Sequence, residues 1–181
     1  KVIAAQTEME RAQQAYYNAI DSGGVSAGVQ IEYNEAQAAY SQASSQYAQA
    51  SASAESARVT YNNTLDGILN SLQEQIQAKI SDQNTTDEQK AALKALLSKV
   101  IAAKGTGAAP DTLDGDIKSE IIHVGVLADL ENLWMQYKTA KDILAAVEED
   151  YNDALATYES AAEAYENASD ATAQGSADKE Q

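Results

Sequence analysis

The chain has 181 residues and a net charge of −16, with 28 acidic against 12 basic residues, ten Tyr, one His, one Trp, one Pro and neither Cys nor Phe. The missing Cys excludes a disulfide scaffold, a thiolate zinc site and a cysteine nucleophile. The acidic balance argues against a nucleic-acid surface, which needs clustered Lys and Arg.

A first helix is expected from about Val2 to Ile20, because Val2, Met9 and Tyr16 recur at intervals of seven, with Ala5, Ala12 and Ala19 three positions later. The Asp21-Ser22-Gly23-Gly24 turn ends it. Folding back there would set Tyr16 against Ala36 and Ala12 against Tyr40, a large residue against a small one in each layer. A second helix begins near 26–29 and runs to about Ile80. Tyr33, Tyr40, Tyr47 and Tyr61 keep the interval of seven with Ala54 in the vacant slot, and Ala36, Ala43, Ala50 and Ala57 follow three positions on. Beyond Ala57 the spacing changes through Tyr61 and Leu65 to Ile68, Leu72 and Ile76, a stutter that relaxes a left-handed supercoil. Polar residues 81–86 break the helix.

A shorter helix is expected from about Thr86 to Lys104, with Thr85 and Glu88 at capping-box spacing and an apolar stripe of Leu93, Leu96, Leu97, Val100 and Ile101. Gly105 ends it, and Gly105 to Asp116 is a loop that contains the only proline, Pro110. The last helix is expected from Ile117 to about Thr172, weakened at Ile121–Val126, where β-branched residues and Gly favour a short strand or a kink. Tyr137, Leu144, Tyr151, Tyr158 and Tyr165 repeat every seven, each followed three positions on by Ala140, Val147, Ala154, Ala161 or Ala168. A polar tail from 173, disordered over 175–181, closes the chain.

These elements predict a single elongated all-α domain: a long antiparallel helical hairpin with a Tyr/Ala heptad coiled coil, a short N-terminal helix packed at one end and a small helical head at the other. Residues 1–64 with 137–174 form the stalk and 65–136 the head. Antiparallel pairing sets Tyr against Ala throughout, whereas a parallel homodimer would stack Tyr on Tyr. The favoured register places Tyr33 opposite Ala168, Tyr40 opposite Ala161 and Tyr47 opposite Ala154, with Val147 filling the layer at Ala54. A slip of seven one way would set Ala54 against Ala154 in a hollow layer and Tyr61 against Val147 in a crowded one; the other way would set Ala54 against Ala140 and Tyr47 against Val147.

Residues that carry chemistry are few. His123 has Ser119 and Glu120 within one helical turn but no second His and no Cys in the chain, and it reads as a core or boundary residue. Glu148, Glu149, Asp150 and Asp153 form the densest acid cluster, but their spacing is not that of a calcium loop. Gly105-Thr106-Gly107 is too short to cradle phosphate. The Tyr side chains suit sugars or aromatic ligands, yet their heptad spacing assigns them to packing. Glycosylation tripeptides at Asn62, Asn84 and Asn167 are expected by chance in so Ser/Thr-rich a chain. Trp134, Met135 and Pro110 stand out as candidate partner-contacting residues, with Trp134 expected to be partly buried in the head.

No catalytic residue, metal ligand or cofactor is therefore assigned, and the chain is not read as an enzyme. Lys and Arg are missing from 12–57 and from 142–178, where ten acids occur, so the stalk lacks alternating ion pairs. A start at Lys1 rather than Met leads us to expect an upstream segment such as a signal peptide, and the absence of Cys fits bacterial export. No apolar run approaches the ~18 residues of a membrane span, so no stable membrane insertion is expected. The function expected is a non-enzymatic exported or cell-surface helical stalk, acting through a protein partner or self-assembly, with no nucleic acid. The alternatives are a bacterial secretion-apparatus component (translocator, tip or filament subunit) and a metal-binding helical bundle. The bundle would normally show inward Glu-x-x-His pairs from each of two helices, whereas the chain has one His and so a single such spacing, Glu120-Ile121-Ile122-His123. In general character the Ala-rich heptads resemble translocator coiled coils and the Ala/Tyr stalks of bacterial surface adhesins. No motif specific to one family carries either resemblance.

Overall fold

The computed structural model describes residues 27–177. The expected first helix, its Ser/Gly turn, its pairing with Tyr40 and Ala36, and residues 178–181 lie outside the described residues. Four helices follow in order: α1, Ala27–Ser81; α2, Asp87–Ala103; α3, Gly115–His123; α4, Leu127–Ala177. The described chain is all-α, and α1 and α4 pair as an antiparallel hairpin. The last helix continues to Ala177, past the expected end near Thr172.

Helix boundaries follow local hydrogen bonding. Thr86, not Thr85, is the N-cap of α2: its hydroxyl accepts from the Gln89 N–H at 3.2 Å, and Gln89 reciprocates toward the Thr86 N–H at 3.0 Å. The expected pair lay one residue early because Thr85 is otherwise engaged, donating to the Lys79 carbonyl at 2.7 Å near the end of α1. Asp114 caps α3 by accepting from the Asp116 N–H at 3.0 Å.

The weak segment at 121–126 is a break between two helices. The Gly125 N–H donates to the Ile122 carbonyl and the Val126 N–H to that of Ile121, the paired bonds of a Schellman C-terminus. That geometry needs a left-handed residue, which Gly125 supplies at φ +78°. The continuous helix expected from Ile117 is thereby divided into α3 and α4, and there is no strand among the described residues.

The described chain falls into two compact units, 27–49 with 145–177 and 50–144. In the first, rings of α1 and α4 interleave. Tyr33 lies between Tyr165 and Tyr158, with ring centroids at 5.0 and 5.8 Å; Tyr40 lies between Tyr158 and Tyr151, at 5.3 and 5.7 Å; Tyr47 stacks on Tyr151 at 5.2 Å. Rising numbers on α1 thus meet falling numbers on α4. Tyr40 is level with Ala154 rather than Ala161, so the expected register is one heptad out. Opposite Ala161, Tyr40 would sit about 15 Å along the axis from Tyr151, and both side chains would lean further apart toward their own N-termini.

The 50–144 unit has a contiguous aliphatic core. Tyr61, Leu65, Leu69 and Leu72 of α1 pack with Val100 of α2, Ile117 and Ile121 of α3, and Leu130 of α4, all buried. Of the expected α2 stripe, Leu93, Leu96, Leu97 and Val100 face this core, but Ile101 is 52% exposed. One reason for the register appears here. Tyr61 is fully buried with its ring 5.0 Å from Trp134, and its hydroxyl donates to the Ala108 carbonyl. Seating Tyr61 beside Trp134 leaves Ala54 level with Ala140, the hollow layer that the sequence pattern alone disfavours.

Candidate interaction surface

The sequence-derived residues do not converge on one chemical centre. His123 is exposed as the last residue of α3, not in the core or at its boundary, because the Gly125 turn ends the heptad that would have buried it. Glu148, Glu149, Asp150 and Asp153 are all exposed along α4. Among the described residues no group of three or more His, Asp or Glu is arranged to hold a metal ion. No helix among them is long and apolar enough to cross a membrane.

The three candidate contact residues have separate fates, all within the 50–144 unit. Pro110 is buried in the α2–α3 loop, which leaves its ring unable to meet a partner directly. Trp134 is half-buried between Tyr61 and Tyr137, its ring 5.5 Å from the latter. Met135 is 56% exposed and lines an open groove of about 430 Å³ with Ala50, Ser53, Thr139, Ala140 and Ile143. Ile143 is 53% exposed. The groove arises where α1 and α4 both present short side chains, next to the Ala54/Ala140 layer. That layer belongs to the register that the heptad pattern alone disfavours.

The loop before α3 is anchored rather than loose. The Gly105 N–H donates to Asp66 Oδ1 at 2.9 Å, and a Cβ on Gly107, at φ +60°, would approach Asn62 Oδ1 to 2.9 Å. Lys99 Nζ bridges Asp114 at 3.1 Å and Asp116 at 2.5 Å, joining α2 to the start of α3. The Asp116 N–H and Lys99 together hold the Asp114 carboxyl below its usual range. These ion pairs are solvated, so they position the loop more than they stabilise it.

The tyrosine ladder is the feature that composition most clearly marks. Its hydroxyls meet across the helices, Tyr33 to Tyr158 at 3.5 Å and Tyr40 to Tyr151 at 3.3 Å, long contacts for hydroxyl hydrogen bonds. The hydrogen bond to the facing hydroxyl raises the Tyr33 and Tyr40 phenols above their ordinary pKa, because a donating phenol must give up that bond to ionise, and the facing phenol's own charge when ionised adds to the effect. Tyr61 is pushed up to about 12, first by burial and then by the Asp111 charge. Sequence reading found every one of these tyrosines but not that they would stack on one another. No family model matches the chain, and no curated protein or solved structure is detectably similar to it.

Proposed function

We propose that the protein is a non-enzymatic helical interaction protein acting outside the cell, secreted or on the cell surface. In this reading the Tyr/Ala seam is a coiled coil serving as spacer or assembly element, and the 50–144 unit supplies the contact region. The observation that carries it is the division of side-chain roles. The buried side chains are apolar or Tyr, with no buried polar or charged group among the described residues, while the acidic residues of α4 point to solvent. Two helices of 55 and 51 residues built this way are framework. The exposed Met135 and Ile143 are the apolar groups a protein partner would cover.

The test is topological. Intact cells of the source organism are treated with a protease that cannot enter them, and the protein is followed by antibody. Loss of the signal from intact cells, or recovery of the protein from the medium, supports the reading. Protection until the cells are lysed overturns it.

A further inference from the structure

The six seam tyrosines form one continuous ladder, in the order Tyr165, Tyr33, Tyr158, Tyr40, Tyr151 and Tyr47, with successive ring centroids 5.0–5.8 Å apart. All six are half-buried, so their ring edges remain open to water and small oxidants. Packing alone does not require the hydroxyls, and the chain uses ten Tyr and no Phe. It also has no Cys, so disulfide formation is not open to it.

We propose that the ladder is a site of oxidative modification, in which dityrosine bonds join Tyr33 to Tyr158 and Tyr40 to Tyr151 and covalently tie α1 to α4. The contacts between hydroxyls single out these two pairs. Dityrosine forms between ring carbons ortho to the hydroxyls, so its two oxygens must end up side by side. In the pairs at 3.5 and 3.3 Å they already do, with ring planes inclined by only 36° and 37°. The more nearly parallel neighbours, Tyr33 with Tyr165 and Tyr40 with Tyr158, stack in the offset manner that aromatic pairs prefer.

The oxidant is a peroxide used by a peroxidase. Each phenol gives up one electron and its hydroxyl proton, yielding two phenoxyl radicals. Their ortho carbons form a carbon–carbon bond. The two ortho hydrogens then leave as protons while the two oxygens are reprotonated, restoring both aromatic rings. Two hydrogen atoms are lost in all, and one hydrogen peroxide becomes two waters. The inference does not depend on where the protein resides.

The test treats dilute full-length protein with a peroxidase and hydrogen peroxide, follows dityrosine fluorescence, and maps crosslinked peptides by mass spectrometry. Expected are intramolecular bonds 33–158 and 40–151, each chain lighter by two hydrogen atoms per bond. The double variant Tyr33→Phe, Tyr40→Phe should lose both bonds while keeping its helical circular dichroism. Should that variant unfold, the peptide map of the unsubstituted protein decides. Bonds only between chains, only at tyrosines outside the ladder, or between the stacked neighbours 33–165 and 40–158 would overturn the assignment. So would the absence of any bond under conditions that dimerise free tyrosine.

Discussion

Two packing chemistries occupy the same pair of helices. In the unit formed by 27–49 and 145–177, the seam is made of half-buried tyrosines and small alanines. In the 50–144 unit, Tyr61, Leu65, Leu69, Ile117, Ile121 and Leu130 are at most 1% exposed. The first is a zipper of similar layers, each worth a ring contact of about 0.5–1.5 kcal/mol beyond its buried area. The second is a closed core, where each aliphatic side chain is worth about 1.5–3 kcal/mol by burial alone. A repeating seam leaves its register open at every heptad, whereas a closed core admits one arrangement.

The largest effect should come from tying the seam in its observed register. Tyr151 lies between Tyr40 and Tyr47, hence level with Ala43. The double variant Ala43→Cys, Tyr151→Cys should oxidise to an intrachain disulfide and raise stability by about 4 kcal/mol, since it closes a loop of roughly 100 residues. The pair Ala43→Cys, Tyr158→Cys should stay reduced, its partner being one heptad away. Gel mobility with and without reductant, followed by denaturant titration, checks both.

Next comes the contrast in truncations. Leu69→Ala should cost about 3 kcal/mol, because its side chain is wholly enclosed and leaves a cavity. Tyr40→Ala should cost about 1–2 kcal/mol, because its neighbours are half open to water and lose mainly two ring contacts. Equal losses in urea unfolding would erase the distinction between zipper and core. Smaller again are the loop glycines of the 50–144 unit. Gly107→Ala meets both a left-handed backbone and the Asn62 side chain, for about 2 kcal/mol; Gly125→Ala meets the backbone term with open space around it, for about 1 kcal/mol. Thermal denaturation of the pair separates the two contributions.

The sequence made much of this contrast legible. Recurrence of Tyr every seven residues, with Ala three positions on, announced two long helices and their antiparallel pairing, with the extent right for α1 but not for α4, because each heptad position implies a face. The α2 stripe was legible for the same reason, except at Ile101. The register was not, since sliding by seven preserves every face and alters only which layer is hollow. What selects it includes a three-dimensional fact, the seating of Tyr61 between Trp134 and the Ala108 carbonyl, supplied by a loop 47 residues away in sequence. The division into α3 and α4 was visible as a weakness at Ile121–Val126 but not as a Schellman turn, which depends on how the backbone closes. Met135 was singled out from the sequence but the groove it lines was not, because the pattern disfavours the register that sets Ala140 level with Ala54.

High pH probes the two regions through different causes. Unfolded tyrosines ionise near pH 10. Tyr33 and Tyr40 are raised by facing phenols, and Tyr61 by burial to about 12. A raised folded pKa means that the native state holds the proton more tightly. The associated stability is therefore whole below about pH 10 and falls as pH rises toward each folded value. Absorbance titration should show Tyr61 ionising late, near 12, and Tyr61→Phe should remove that step. Ionisation of all ten tyrosines in one step near 10 would contradict both environments.

The smallest effect is also the sharpest test of register, because its sign is at stake. Ala140 lines the groove, and the seating of Tyr61 beside Trp134 puts it level with Ala54, two short side chains in one layer. Ala140→Leu should fill part of that space and stabilise the protein by about 0.5–1 kcal/mol, the usual return on filling an unoccupied site. In the register read from the heptads alone, Ala140 would instead oppose Tyr61. A leucine there would crowd a large ring and destabilise by about 1–3 kcal/mol. Leucine is at least as compatible with a helix as most residues and close to Ala in propensity, so backbone preference contributes little to the difference. A rise in the denaturation midpoint with Ala140→Leu thus supports the observed layer, and a fall returns Tyr61 to Ala140.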